Sequence, residues 1–206
     1  SEGKLSKRLG SLGMAELREA GIESEALVAL LARLGTSQPV EPIAERAVLV
    51  ESFDLGMFGR APARFDEAEL ARLNAQIVHQ MDYARVSAHL PEGMDETAWD
   101  AIRPNLERIC DAADWWRIVT GPVQAPPASA EDRAYLAEAA TMLEQTGTDW
   151  KALTTALKDA TGRKGKALFL PLRLALTGLE HGPDMAALLP LIGREAPLER
   201  LRAAVA

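Results

Sequence analysis

The chain has 206 residues, 48% hydrophobic and 5% aromatic, with a net charge of −7. This length allows one large domain or two to three small ones, and the apolar fraction is sufficient for a folded core. No run approaches the roughly 20 apolar residues of a membrane span, and no signal peptide is evident. The single cysteine, Cys110, excludes an internal disulfide and a cysteine-rich zinc site, which fits a reducing cytoplasm. Because no apolar span is present, we expect no membrane association.

Apolar residues recur with helical spacing from the first third of the chain onward. The first stripe follows a possible cap at Ser24, and the second begins near Asp66. Their members are Leu27, Leu30, Leu31 and Leu34 in the first stripe, and Leu70, Leu73, Ile77 and Met81 in the second. The stretch VLVESF between them could form a short strand, but its context is helical.

The second half continues the helical pattern. Ser129 is a predicted cap for a stripe through Leu136 and Leu143, and Thr148 for one through Leu153 and Leu157. In LFLPLRLALTG, Pro171 is compatible with a helix only in the first turn, and Gly178 is a plausible stop. We therefore predict an all-α protein of about a dozen short helices, a helical cage or bundle.

Two breaks suggest domain boundaries. The clearer one is the segment 121–129, in which glycine and proline are concentrated, and a softer one lies at residues 89–96. Charge is also distributed unevenly, since six cations face only Asp159 between residues 151 and 173, whereas residues 91–117 are mainly acidic. The net negative charge therefore does not argue against a local phosphate-binding surface.

Two basic clusters are candidates for phosphate contact. In TGRKGKALF, Gly162 and Gly165 permit a tight turn that would present the cations of residues 163–166 near a helix start. The N-terminal cluster 4–8 could neutralise a triphosphate during transfer chemistry. For both, a solvated basic segment is the alternative reading.

Other polar and aromatic residues give weaker signals. Trp115 and Trp116 could stack on unpaired bases, but packing between helices is favoured because neighbouring helical residues point about 100° apart. The three histidines lack acidic partners at ligand spacing, so no metal site is predicted. Cys110 lies in an apolar stretch and is predicted to be buried.

Four blocks, in this order, resemble the C-terminal half of bacterial glutamyl-tRNA synthetases, which are class I aminoacyl-tRNA synthetases. GKLSKR resembles the second signature of that class, and MAELREAGIESEALVALLARLG the segment that follows it. RFDEAELARLN and TGRKGKALFLPLRLALTGLEHGPDMAALLPLIGRE are similar to two later segments, the last being the most specific.

The resemblance implies a glutamate–tRNA ligase that uses ATP with Mg²⁺ and transfers glutamate to tRNA(Glu). Lys7 matches the catalytic second lysine of the signature, and Lys4, Ser6 and Arg8 complete the implied ATP-binding set. The Rossmann catalytic domain would precede Ser1, so this chain by itself is expected to be inactive and without cofactor.

The resemblance also implies three helical parts. Residues 1–88 would hold the end of the catalytic signature loop and a stem-contact domain, followed by anticodon-binding subdomains over 89–125 and 126–206. We expect a monomer, and the expected tRNA-binding residues are Arg103, Arg108, Arg163, Lys164, Lys166 and Arg173.

The chain departs from the family at two places. Glu69 replaces a lysine, which puts a tRNA contact there in doubt, and the segment 101–116 is divergent. Which arginine reads the anticodon, and whether tRNA(Gln) is also accepted, therefore stays open. The rival interpretation is a helical protein-interaction module with no RNA binding.

Overall fold

The structure is a computed structural model that describes residues 13–60 and 62–205. Within these ranges there are twelve α-helices and no β-strand, apart from an isolated antiparallel bridge between Thr36 and Phe58. This confirms the all-α prediction, and residues 48–51 of the VLVESF stretch are helical. The helices are α1 (Met14–Glu19), α2 (Ser24–Arg33), α3 (Arg46–Glu51), α4 (Glu67–Val78), α5 (Tyr83–Val86), α6 (Glu96–Ile102), α7 (Ala112–Thr120), α8 (Ala130–Thr146), α9 (Trp150–Thr161), α10 (Lys166–Thr177), α11 (Met185–Ile192) and α12 (Glu195–Val205).

The chain divides into two compact units. The first contains the described residues up to Leu90 together with Leu106–Ala112, and the second contains Pro91–Asn105 and the described residues from Ala113 onward. The predicted domain boundaries after residues 88 and 125 stay predictions. None of the helices that the structure describes is long and apolar enough to cross a bilayer.

In the first unit, α2 packs against α3 and α4. Both predicted stripes supply core residues, such as Leu30, Leu73 and Ile77, but Leu31 of the first stripe is 48% exposed. Asn74 is fully buried among them, and its Oδ1 accepts the backbone N–H of Glu23 at 2.8 Å. Its Nδ2 donates to the carbonyl of Glu107 at 2.8 Å and to that of Gly21 at 3.3 Å, so one amide joins three segments of the unit.

The first unit also has a cluster of exposed apolar side chains over residues 48–58. Leu55 is 77% exposed, and Phe53 and Phe58 pack together with ring centroids 5.5 Å apart while both stay exposed. Val48, Val50 and Met57 add to the same stretch. A group of this size is more than the isolated apolar residues that ordinary surfaces carry.

In the second unit, α8 packs against α9, α10 and α12, and α11 against α6, α9 and α12. The predicted α8 and α9 stripes supply core residues, including Leu136 and Leu157. Arg200 of α12 is almost fully buried. Its guanidinium donates to the carbonyls of Leu176 at 2.7 Å, Ile118 at 2.8 Å, Val119 at 3.3 Å and Gly121 at 2.8 Å.

The predicted helix starts are correct at two positions and displaced at two. The Asp66 carboxylate accepts the N–H of Ala68, and the Ser129 hydroxyl accepts that of Asp132, so both are caps. Ser24 is the first residue of α2, not its cap. Asp149, not Thr148, caps α9, because its carboxylate accepts the N–H of Ala152 at 2.9 Å.

The restriction of Pro171 to a first turn was wrong. It is the sixth residue of α10, which begins at Lys166, directly after Gly165 with φ of 54°. Gly178 ends α10 in the left-handed conformation, with φ of 75°, which confirms the predicted stop.

Candidate functional site

The loop between α9 and α10 is the most cationic surface segment that the structure describes. Gly162 and Gly165 have positive φ angles of 70° and 54°, and a Cβ added at either position would meet no atom within 4 Å, so glycine is required by backbone conformation alone. Lys164 and Lys166 are exposed on this turn. In the described part of the chain, no carboxylate pairs with either lysine.

Two further lysines extend this surface along α9. Lys151 and Lys158 are both exposed and lie seven residues apart, which places them on the same side of the helix. Four of the six lysines of the whole sequence thus fall between residues 151 and 166. We call Lys151, Lys158, Lys164 and Lys166 the lysine stretch.

Arg163 turns inward, unlike its neighbours. Its Nη1 donates to Oδ1 of Asp132 at 2.7 Å, and its Nη2 to Oε1 of Glu131 at 2.9 Å. Only 13% of its side chain is exposed, because the guanidinium also lies over the ring of Tyr135. The hydrogen bond from Arg163 holds the pKa of the Asp132 carboxyl below its usual range. Arg163 thus ties the basic loop to the start of α8.

Arg173 lies at the other end of α10 and is half-buried. Its Nη2 donates to the carbonyl of Pro183 at 2.9 Å, whereas its Nη1 is buried without a hydrogen-bond partner among the described residues. Burial lowers the pKa of this guanidinium, and Asp184 opposes that effect. A buried N–H without an acceptor is costly to stability.

Arg103 and Arg108 each face an acidic residue three positions away. Arg103 lies 3.3 Å from the carboxylate of Asp100, in the second unit. Arg108 belongs to the first unit and binds Asp111 through Nε at 3.0 Å and Nη2 at 2.7 Å, and these hydrogen bonds raise its pKa.

The two adjacent tryptophans are packing residues, as the sequence favoured. The Nε1 of Trp116 donates to the carbonyl of Glu92 at 3.0 Å. Trp115 lies against Gly182, where an added Cβ would come within 2.1 Å of its ring, so glycine is required there. Cys110, in contrast, is exposed rather than buried, because it lies in a short 3₁₀ turn at the surface.

Sequence reasoning missed an aromatic pair beside the lysine stretch. Trp150 opens α9 and Phe169 lies in α10, and their ring centroids are 6.3 Å apart at an interplanar angle of 34°. Phe169 is 45% exposed although α10 is largely apolar. The two residues are separated by 19 positions, so no local pattern indicates the pairing.

The predicted ATP-binding residues, Lys4, Ser6, Lys7 and Arg8, lie outside the described residues. No group of three histidine, cysteine, aspartate or glutamate side chains in residues 13–60 and 62–205 is arranged to hold a metal ion.

Comparison with known proteins places the chain in a family. The family model described as anticodon binding domain matches residues 69–205, so the chain belongs to that family. This is the class that the resemblance to synthetases anticipated, and the resemblance is confirmed.

Individual relatives with high sequence identity specify the relationship further. The chain is 64% identical over 203 residues to glutamate–tRNA ligase 2 of Erythrobacter litoralis, covering 98% of this chain and 45% of the relative. It is 65% identical over 206 residues to glutamate–tRNA ligase 1 of Novosphingobium aromaticivorans, and this match covers 98% of the present chain and 47% of the relative. The chain therefore spans about half the length of these curated relatives.

Two solved structures share the fold. A glutamate-tRNA synthetase from Elizabethkingia anophelis superimposes with a TM-score of 0.76 at 20% identity, over 100% of this chain and 48% of the other. A glutamate tRNA ligase from Elizabethkingia meningosepticum superimposes with a TM-score of 0.77 at 22% identity, over 100% of this chain and 49% of the other.

Proposed function

We propose that this chain is the tRNA-binding part of a glutamate–tRNA ligase and that its second unit grips the anticodon arm of tRNA(Glu). The observation that carries the proposal is the lysine stretch, exposed and free of carboxylate partners within the described chain, in a member of the anticodon binding domain family. Phosphate contacts supply most of the affinity of a nucleic-acid-binding surface, and lysine amines serve them as point charges.

The predicted tRNA-binding residues have different parts in this proposal. Lys164 and Lys166 contact backbone phosphates, and Arg163 holds their loop against α8. Arg173 would contact a base or phosphate oxygen once its side chain turns outward from the carbonyl of Pro183. Arg103 and Arg108 are the two candidates for reading the anticodon, each after release of its acidic neighbour.

We further propose that the whole ligase is a cytoplasmic monomer in which residues 1–88, 89–125 and 126–206 form the three predicted parts. Lys7, with Lys4, Ser6 and Arg8, would contact ATP, and Mg²⁺ would accompany the nucleotide. In that ligase, Lys7→Ala is expected to slow glutamate activation by about 100-fold, the size expected for losing one transition-state charge contact. An unchanged activation rate would remove Lys7 from the chemistry.

The experiment that tests tRNA binding is a salt titration of affinity. Each lost phosphate contact reduces the slope of log affinity against log salt by about one unit. We therefore expect Lys164→Gln with Lys166→Gln to weaken binding of a tRNA(Glu) transcript and to flatten the slope by about two units.

A matched control lies at the other end of α8. Arg194 and Arg202 both bind Glu144, about 18 Å along that helix from Asp132. Arg194→Gln with Arg202→Gln removes the same charge and should leave the slope near that of the wild type. Equal slopes for the lysine variant and the wild type would show that the loop does not touch phosphate.

The exposed apolar cluster of residues 48–58 favours a second candidate, a helical module that binds another protein. The same titration separates the two functions. A wild-type chain that retains no tRNA even at low salt would support protein binding over RNA binding.

A further inference from the structure

We infer that Trp150 and Phe169 form a stacking platform for an unpaired nucleotide of the bound tRNA. This inference rests on the proposed function and adds to it a contact of a different kind. The lysine stretch recognises phosphate by charge, whereas the platform recognises the flat face of a base.

Exposure singles out Phe169. In the described residues of the second unit, the large apolar side chains that stay exposed are Phe169 and Leu179, and Phe169 alone is aromatic. The ring of Trp150, half-buried, lies beside it with a centroid distance of 6.3 Å. Trp150 therefore supports one side of the Phe169 ring, and solvent reaches the remainder.

The charges around the platform favour a nucleotide over an apolar partner. Lys166 lies three residues before Phe169 and Arg173 four residues after it, so all three occupy one side of α10. Lys166 is exposed, whereas Arg173 is half-buried and its Nη2 donates to the carbonyl of Pro183 at 2.9 Å. The exposed ammonium of Lys166 beside the exposed ring of Phe169 complements the phosphate and the base of one nucleotide.

Few acidic residues lie between Trp150 and Phe169 in the sequence. Asp159 is the single acid between residues 151 and 173. It lies nine positions after Trp150, on the opposite side of α9. Asp149 precedes Trp150, but its carboxylate already accepts the N–H of Ala152 as the cap of α9.

The test compares the full chain with Phe169→Leu and Phe169→Tyr, using a tRNA(Glu) transcript and an RNA duplex without unpaired nucleotides. Because base–aromatic stacking is sequence-tolerant and sizeable, Phe169→Leu should weaken tRNA affinity about tenfold. Its salt slope should match the wild type, since stacking releases no counterions. Phe169→Tyr should bind within about twofold of the wild type, and the duplex should not distinguish the variants.

A control substitution is available in the first unit, where Phe53 is similarly exposed. Phe53→Leu should leave tRNA affinity unchanged. Helical circular dichroism and the urea midpoint of each variant establish that the fold is retained.

The outcomes separate this inference from the proposed function. If the wild-type chain does not bind the transcript, the proposed function fails and the platform with it. If the wild type binds with a clear salt slope and Phe169→Leu binds equally well, or loses duplex affinity to the same extent, the platform alone is overturned.

Discussion

Arg163 donates from Nη1 to the carbonyl of Ala167 at 3.2 Å, and this is the carbonyl that Pro171 leaves without its helical partner. In a regular helix the N–H of residue 171 would bond to the oxygen of residue 167, but proline has no N–H. The guanidinium supplies a replacement donor. The same side chain binds Asp132, so the proline in α10 and the start of α8 depend on one residue.

A double-mutant cycle tests this substitution of donors. Arg163→Ala should lower the free energy of unfolding by about 2 kcal/mol, because it removes charge-assisted hydrogen bonds from a largely buried group. In the Pro171→Ala background the loss should be about 1 kcal/mol smaller, since a backbone N–H then reaches the oxygen of Ala167. Urea denaturation of the four proteins gives the coupling energy. Additive losses would show that the two residues act independently.

The Arg163–Asp132 pair also makes stability depend on pH. The pKa of Asp132 is lowered in the folded state, first by the hydrogen bond from Arg163, so the folded state disfavours protonation. The contribution is present above the ordinary carboxyl pKa of about 4 and is lost as the pH falls through the lowered value. The stability gap between the wild type and Asp132→Asn should thus be largest above the ordinary carboxyl pKa and shrink as the pH falls through the lowered value.

The control for the pH series is Asp159→Asn, which alters an exposed carboxylate of α9. The free energy of unfolding of Asp159→Asn should stay close to that of the wild type throughout the series. A gap for Asp132→Asn that widens on acidification would contradict the assigned ion pair.

Arg200 is expected to be the most sensitive arginine of the second unit. It joins the ends of α7 and α10 through four carbonyls, and burial lowers its pKa. Arg200→Met should cost about 3 kcal/mol, because these acceptors lose their donor inside the protein. Arg200→Lys should cost less, since an ammonium reaches some of the acceptors but lacks the planar fork.

Arg202, two residues later, gives the comparison for Arg200. It is 62% exposed and pairs with Glu144 at the surface. Arg202→Met should change the unfolding free energy by less than about 1 kcal/mol. Thermal or urea unfolding checks both, and similar losses at the two positions would remove the special role of Arg200.

Asn74 gives a prediction for the first unit. Its amide donates to two carbonyls and accepts one N–H in a fully buried setting. Asn74→Asp keeps the acceptor but sets a carboxylate against the carbonyls of Gly21 and Glu107, so it should cost about 3 kcal/mol at neutral pH.

The loss at Asn74→Asp should decrease on acidification. Burial raises the pKa of a carboxyl group, and the protonated form can donate to one of the carbonyls. The destabilisation is therefore largest above the raised pKa and falls as the pH drops through it. Asn74→Ala, which has no titrating group, should show a loss that changes little with pH relative to the wild type.

Much of the fold could be read from local sequence. Helical spacing of Leu and Ala identified the faces that are buried in α2, α4, α8 and α9, because a 3.6-residue period reports which side of a helix is apolar. The helix start near Asp66, the cap at Ser129 and the stop at Gly178 were also predicted, because polar caps and glycine are local signals of helix ends. The displaced cap at Asp149 shows the limit of this approach, since adjacent polar residues compete for one position.

The sequence by itself determined an all-α chain with its cations concentrated between residues 151 and 173, because helical period and charge density are properties of nearby residues. Only the tertiary structure decided which cations are available. Arg163 is turned inward by Asp132 and Tyr135, which lie about 30 positions away, and Arg173 is half-buried beside Pro183. Hydrogen bonds and ring contacts between distant segments depend on how helices pack, and no local pattern specifies them.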